Sequence, residues 1–333
     1  MKKILIVNDN SISQISGVLT SVEKTINILR QKGHEVKVIH HGLFNSFSLK
    51  PWFPEVYFSF FSEKKLKKAL IEEKPDHVHI VTEGALGLKA RMICVKNKIK
   101  FTTSYHTHYD EYLKKRVSKF LFKITRTYLR WFHKKAEIIM VSTDSLKKEL
   151  EKRGYKNIVI CPLGVDVDFF KKIEGINPKY PKPIFTYLGR LAKEKNIEEY
   201  LNCNLPGTKL IIGDGPQRKK LEQIYGVKAV FLGAKTDKEL VELLSQSDVL
   251  VFPSMTDTFG LAIVEALSCE IPVAAHNVMG PMDIITHNID GFLDENLEKA
   301  AKECLKLNRS NCRKKALLFS WENSVEIFLK NLR

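Results

Sequence analysis

The sequence predicts an α/β protein built from two doubly wound domains. Three observations predict it. Short apolar runs alternate with helix-period stretches through the first 160 residues. The same alternation starts again near residue 183. Between the two lies KKIEGINPKYPKP (171–183), rich in Lys and Pro and without periodicity, which reads as a linker. Strand–helix alternation argues for a parallel sheet covered on both faces. A length of 333 residues suits two such domains.

In the first half KKILIV (2–7), EVKVIH (35–40), HVHIV (77–81), KFTTSY (100–105) and EIIMVS (137–142) read as strands. Helical patterns fall at 18–31, 63–73 and 144–153, two of them ended by Gly33 and Gly154. In the second half the strands are PIFTYLGR (183–190), TKLIIGDG (208–215), VKAVFLG (227–233), DVLVFPS (248–254) and IPVAA (271–275). Helices are expected near 195–202, 216–224, 237–246 and 260–269. Ligands of such sheets sit beyond the carboxyl ends of the strands, here expected in a cleft between the domains.

No apolar run approaches the roughly 20 residues of a membrane-spanning helix. The four-residue apolar run Ile4–Val7 is too short for a signal-peptide core and reads as a first strand. Six scattered cysteines without a CxxC pair read as reduced thiols, not as a disulfide framework or zinc site. The charge is uneven. Residues 1–160 hold 31 Lys and Arg against 15 Asp and Glu, a net of +16, whereas residues 161–333 hold 23 of each. A basic half beside a neutral half implies an anionic partner surface such as membrane, nucleic acid or an acidic polymer.

Four stretches of the second domain stand at predicted strand ends. They are GRLAKEKN (189–196), Gly213-Asp214-Gly215-Pro216, Leu232-Gly233 and SMTDTFGLAIVEALSC (254–269). Glycines let backbone approach a ligand, and Arg190 with Lys195 supply charge for a phosphate. Thr258-Phe259-Gly260-Leu261 falls where a helix begins, so its free amides favour an anion. Glu265, two turns on, can present a carboxylate to hydroxyls. Together these parts describe a nucleoside-diphosphate cradle. Each alone has a plainer reading: a tight turn for Gly213–Pro216, solvated surface for Arg190 and Lys195, coincidence for the two acids.

These stretches, with Gly17 in the first loop, TEGALG (82–87), TTSYHTHYDEY (102–112), GVDVDFF (164–170) and TDTFGLAIVEALSCEIPVAA, closely resemble the retaining glycosyltransferases of the GT-B fold, family 4. The resemblance covers nearly the full length and is nearest to bacterial enzymes that glycosylate membrane lipids, including diacylglycerol. It implies an acceptor-binding domain (1–170), the linker (171–183), a nucleotide-sugar domain (184–315) and a C-terminal helix (316–333) crossing back to the first domain. It implies that Arg190 and Lys195 hold the donor diphosphate, that Glu265 binds the ribose and that Asp257 contacts the transferred sugar. Amides of Phe259, Gly260 and Leu261 would bind the distal phosphate and sugar. Gly17, Gly213, Asp214, Gly215 and Gly233 would line the donor, and His106 would contact the sugar. Asp257 stands where the family's usual pattern has Glu, and Ser16-Gly17 replaces the usual paired Gly. Transfer with retention would need no protein nucleophile, no cofactor and no metal.

On the acceptor side the candidates are Glu83, His106 and Tyr109. Glu83 either orients the acceptor or caps the next helix. His106 and His108 share a face of an extended segment but lack further metal ligands, so a metal pair is not the preferred reading. Asp166-Val167-Asp168 mimics the DxD of metal-dependent sugar transferases, but at a domain exit it reads as a turn with a helix cap. The run KKRVSKFLFKITRTYLRWFHKK (114–135) holds nine Lys and Arg and no acid. It reads either as a helix with inward aromatics and a solvated basic face, or as an interfacial helix whose Lys115, Arg116, Lys119, Lys123, Arg126, Arg130 and Trp131 meet anionic lipid. The aromatic segment 43–61 adds to the same half as part of an acceptor mouth.

The expected partners are a nucleotide sugar, a lipid or glycan acceptor and the anionic inner face of the cytoplasmic membrane. A polysaccharide or lipopolysaccharide acceptor, or a sugar-nucleotide epimerase of the same fold, are the alternatives. A nucleic-acid binder is disfavoured for want of a binding motif.

Overall fold

In the computed structural model, residues 1–9, 17–44, 46–49, 53–59, 62–106 and 119–333 are described. The chain divides into two compact units: unit 1, Met1–Pro162 with Ser324–Arg333, and unit 2, Leu163–Asn323.

Unit 1 is built on strands β1 (Lys3–Asn8), β2 (Glu35–His40), β5 (His77–Ile80), β6 (Thr102–Tyr105), β7 (Ile138–Val141) and β8 (Ile158–Ile160). All neighbours run parallel in the order β2-β1-β5-β6-β7-β8. A separate antiparallel pair joins β3 (Ser46–Leu49) to β4 (Phe53–Ser59). Ile4 to Val7 are buried, as a central strand covered on both faces requires. The helix Gly17–Gln31 lays Val22, Ile26 and Leu29 on this core at spacings of four and three. Gly33, at φ +81°, ends it with the His34 amide bonded back to the Leu29 carbonyl. Val325, Phe328 and Leu332, on and just after the C-terminal helix Trp321–Asn331, join the same cluster. The last residues, Ser324–Arg333, thus belong to unit 1.

Unit 2 repeats the plan with β9 (Ile184–Leu188), β10 (Thr208–Ile212), β11 (Val230–Gly233), β12 (Val249–Phe252), β13 (Val273–Ala275) and β14 (Gly291–Leu293). Its parallel order, β11-β10-β9-β12-β13-β14, is that of a dinucleotide-binding sheet, reversing direction between β9 and β12.

The border between the two units falls at Pro162, eight residues before the expected end of the first domain at 170. The expected linker 171–183 is part of unit 2, because its polar groups are spent there. The Ile173 amide donates to Ser245 Oγ (2.9 Å) and the Lys179 amide to Gln246 Oε1 (2.9 Å). Just before it, the Phe170 carbonyl accepts from Ser268 Oγ (2.6 Å) and Arg313 (3.0 Å). Low periodicity marked an irregular segment correctly but not a free one. Four strands went unseen: the pair β3 and β4, and the three-residue strands β8 and β14. Among the described residues, no helix is long and apolar enough to cross a membrane. All six cysteines are free thiols.

Candidate functional site

The loops after β9, β10 and β11 are stitched through backbone. The Gly189 amide donates to Ile212 O (3.0 Å), Gly213 to Gly233 O (2.8 Å) and Leu191 to Asp214 O (2.9 Å). This packing demands glycine at Gly213, whose φ is +144° and whose added Cβ would stand 1.8 Å from the Gly189 carbonyl oxygen. Gly215 likewise faces the Leu191 oxygen at 2.4 Å.

From this rim the chain makes a short turn, Lys193–Lys195, closed by Asn196 in the left-handed region at φ +54°. Asn196 bonds Glu199 and, at 3.4 Å, the Pro253 carbonyl just beyond β12. The two central strands are thereby tied at their carboxyl ends, and Lys195 Nζ meets Asp257 Oδ1 at 2.5 Å. The other oxygen, Asp257 Oδ2, is buried without a hydrogen-bond partner, as is the nearby Ser254 hydroxyl. Buried acceptors are rarely left so, and both lie just beyond the carboxyl end of β12. Next to it begins the helix Leu261–Ser268, whose N-cap, Gly260 at φ +102°, contributes no side chain. Its first amides therefore face outward with the positive end of the dipole. The Phe259 ring packs away from this edge, against Phe319 (5.7 Å between centroids).

Glu265 is half-buried on that helix, and burial pushes its carboxyl up to about 7. Arg190 is exposed, with its carbonyl accepting from Tyr187 Oη at 2.8 Å. Thus the structure gathers Lys195, Asp257, Gly260 and Leu261 at the switch point of unit 2, with Arg190 and Gly213 on the adjoining rim.

Asp214, on the same rim, is engaged by its own turn. Its carboxylate is held by Arg218 (2.8 Å) and its neighbour's amide, Gly215 N (2.7 Å), so it shapes the turn. The Arg218 bond, first, holds the carboxyl below its ordinary range. Arg218, which the sequence reading passed over, lies against Gly233: a Cβ there would come within 2.8 Å of Nη1. The i,i+4 pairing of Asp214 with Arg218 was the available signal. Gly280, also missed, brings the loop after β13 to within a methyl group of the Asp257 carbonyl. Asp166 accepts from the Phe169 amide (3.1 Å), a turn-capping contact.

In unit 1 the corresponding switch point is already filled. The Asp9 carboxylate accepts from the amides of Leu86 (2.5 Å) and Gly87 (3.0 Å) and from the Thr82 hydroxyl (2.9 Å). Asp9 therefore caps the helix Ala85–Lys96, taking the Leu86 and Gly87 amides of its first turn. This corrects one reading of Glu83: it does not cap that helix. Its carboxylate instead meets His133 Nε2 at 3.1 Å. His106 follows β6, half-buried; burial pushes its pKa down to about 4 against the opposing pull of Glu83. Gly17 opens its helix.

The helix Lys119–His133 buries Leu129 and Phe132 while exposing Phe120 (74%), Ile124 (48%) and Trp131 (46%). Lys123, Arg126 and Arg130 are exposed beside this stripe. The buried Leu129 and Phe132 fit the reading of a helix packed on its apolar side, and the basic residues are exposed as that reading expects. Tyr109, Lys115 and Arg116 lie outside the described residues.

Comparison with known proteins also divides the chain in two, with the border at residues 166–169. The family described as Glycosyltransferase Family 4 matches residues 15–169, and Glycosyl transferases group 1 matches residues 166–316. The sulfoquinovosyl transferase SQD2 of Arabidopsis thaliana is 28% identical over 86% of this chain, which spans 62% of its length. A GDP-mannose-dependent alpha-mannosyltransferase of Mycobacterium tuberculosis is 27% identical over 87% of this chain and 83% of its own. The solved structure of Anabaena HepE, in complex with UDP and glucose, superposes with a TM-score of 0.72 over 99% of each chain at 16% identity. The chain belongs to the group 1 glycosyltransferases of family 4 and has their two-domain GT-B fold.

Proposed function

We propose that this protein is a retaining hexosyltransferase that moves a sugar from a nucleoside-diphosphate sugar, UDP-hexose in our reading, to a hydroxyl of a membrane lipid such as diacylglycerol. One observation carries the donor half: Lys195 and the half-satisfied Asp257 meet beside an uncapped helix start. Lys195, Arg190 and the amides of Phe259, Gly260 and Leu261 stabilise charge developing on the departing diphosphate. Asp257 Oδ2 accepts from a sugar hydroxyl, and Glu265 accepts from the ribose. Gly213, Gly215 and Gly233 let the backbone close on the nucleotide. The acceptor hydroxyl attacks on the face the diphosphate leaves, and the leaving oxygen takes its proton, so no protein nucleophile, metal or cofactor takes part. His106, neutral above about pH 4, contacts the sugar as a hydrogen-bonding group.

The UDP donor is supported by HepE, solved with UDP and glucose. A GDP-sugar is the second reading, favoured by the mannosyltransferase relative. The lipid acceptor is supported by the exposed Phe120, Ile124 and Trp131 flanked by Lys123, Arg126 and Arg130. An exposed apolar stripe beside a basic one suits an anionic leaflet, and we place the protein peripherally on the inner face of the cytoplasmic membrane. Incubating the protein with radiolabelled UDP-, GDP- and ADP-sugars and a membrane-lipid extract tests this. Label from a UDP-hexose is expected in the organic phase; label from GDP-sugars alone selects the second reading, and no lipid product rejects the acceptor. In parallel the protein should sediment with anionic liposomes at low salt, and failure to do so rejects the membrane placement.

Glu265 gives a pH signature. Its raised pKa means the ligand-free protein draws stability from the protonated form, lost as pH rises from the usual carboxylate range through about 7. Ribose hydroxyls prefer the ionised carboxylate. Nucleotide affinity should therefore climb by up to about tenfold per pH unit below about 7 and level off above it. Titration calorimetry should show that slope in the wild type and a flat profile in Glu265→Gln; equal slopes would remove Glu265 from the nucleotide site.

A further inference from the structure

Unit 1 contains a buried polar chain that neither the donor chemistry nor helix capping uses. Glu83 follows β5 and is 8% exposed; His133, at the end of the Lys119–His133 helix, is 1% exposed. His133 Nε2 lies 3.1 Å from Glu83 Oε1, and its Nδ1 lies 2.8 Å from Thr103 Oγ1 on the fully buried β6. The carboxylate can only accept, so Nε2 carries a proton. The Thr103 hydroxyl then donates to Nδ1 in the neutral ring or accepts from it in the charged ring. Either protonation state of His133 leaves no ring atom orphaned. The same helix grips Glu83 a second time, as Tyr128 Oη donates to the Glu83 carbonyl at 2.5 Å.

Folding alone gives no reason for this arrangement. Asp9 already satisfies the amides of the next helix, and desolvating a carboxylate and an imidazole opposes folding. The chain ends at the carboxyl edge of β5 and β6, where such sheets bind ligands. Glu83 also acts electrostatically on His106. We propose that His133 is a positioning residue for the acceptor: it holds the Glu83 carboxylate at the strand edge, where that carboxylate orients the attacking hydroxyl. The proposal rests on the reading of unit 1 as the acceptor half, and deepens it.

The test compares wild type, His133→Leu and His133→Gln with the radiolabelled nucleotide sugar and lipid extract of the screen above. Three quantities are read: transfer to lipid, hydrolysis of the donor by water, and donor KM. In His133→Leu, transfer should fall by about 10- to 100-fold, with hydrolysis and donor KM within about twofold of wild type. In His133→Gln, whose amide nitrogen can replace Nε2–H, most of the transfer should return. Undiminished transfer in His133→Leu overturns the proposal. So does a parallel loss of transfer and hydrolysis in both variants, which marks a structural role. A wild type that hydrolyses donor but transfers to no hydroxyl rejects the acceptor reading and this proposal with it. A wild type that transfers normally confines any failure to His133.

Discussion

Replacing Lys195 with alanine should abolish sugar transfer and leave the fold in place. The side chain is 27% exposed and leaves the β9 rim at a turn, so its removal opens no cavity in the core. What it removes is the cation bonded to Asp257 Oδ1 beside the start of the Leu261–Ser268 helix. Electrostatic donors aimed at developing charge are worth about 100- to 1,000-fold each in turnover. Asp257 also loses its partner, so its carboxylate is no longer held for the sugar, and both effects act in one direction. Turnover should drop by about 1,000-fold or more, equivalent to about 4 kcal/mol of transition-state stabilisation. Arg190→Ala, at an exposed position, should lose activity by the same charge argument. Circular dichroism and a melting temperature within a few degrees of wild type establish that the protein is folded. Turnover close to wild type in Lys195→Ala removes the donor assignment, whatever the fold.

That lysine was readable from sequence because its meaning is local. Gly189, Arg190 and Lys195 follow one strand, and Gly213 and Gly215 the next, so the strand pattern alone puts them on one edge of a sheet. Asp257 was readable for the same reason; its orphaned Oδ2 was not, since burial of one oxygen depends on packing from several loops. The residues that escaped notice act at long range. Asp9 looks like an ordinary polar turn after β1, and the amides it caps lie 77 and 78 residues onward. His133 sits inside a basic run whose composition describes the solvent face, whereas its own ring is buried against Glu83, 50 residues earlier. Strands β8 and β14, three residues each at sheet edges, are too short to show a period. Segment 171–183 looked like a linker because its sequence lacks periodicity, but periodicity says nothing about side chains supplied by another helix, here Ser245 and Gln246.

Gly213→Ala should be among the most destabilising single-methyl additions in unit 2. Two penalties combine there. The residue occupies φ +144°, which side-chain-bearing residues avoid, and its Cβ would stand 1.8 Å from the Gly189 carbonyl oxygen. That neighbour is backbone, not the end of a flexible side chain, and Gly189 is itself bonded to Ile212. Relief therefore requires the β9 and β10 loops to separate, at the expense of the Gly189–Ile212, Gly213–Gly233 and Leu191–Asp214 bonds together. Gly175 supplies the control within the same unit: it too has positive φ, at +74°, but no atom lies within 4 Å of its added Cβ. Gly175→Ala should cost only the backbone penalty, about 1–2 kcal/mol. Gly213→Ala should cost about 4 kcal/mol or more, lowering the melting temperature by about 10 °C for a unit of this size. Sugar transfer should fail even below the melting transition, because the loop carrying Arg190 and Lys195 is the one displaced. Equal melting temperatures for the two variants would show that the β9 and β10 loops can part without loss, and the rigid rim that aims Lys195 at Asp257 would have to be abandoned.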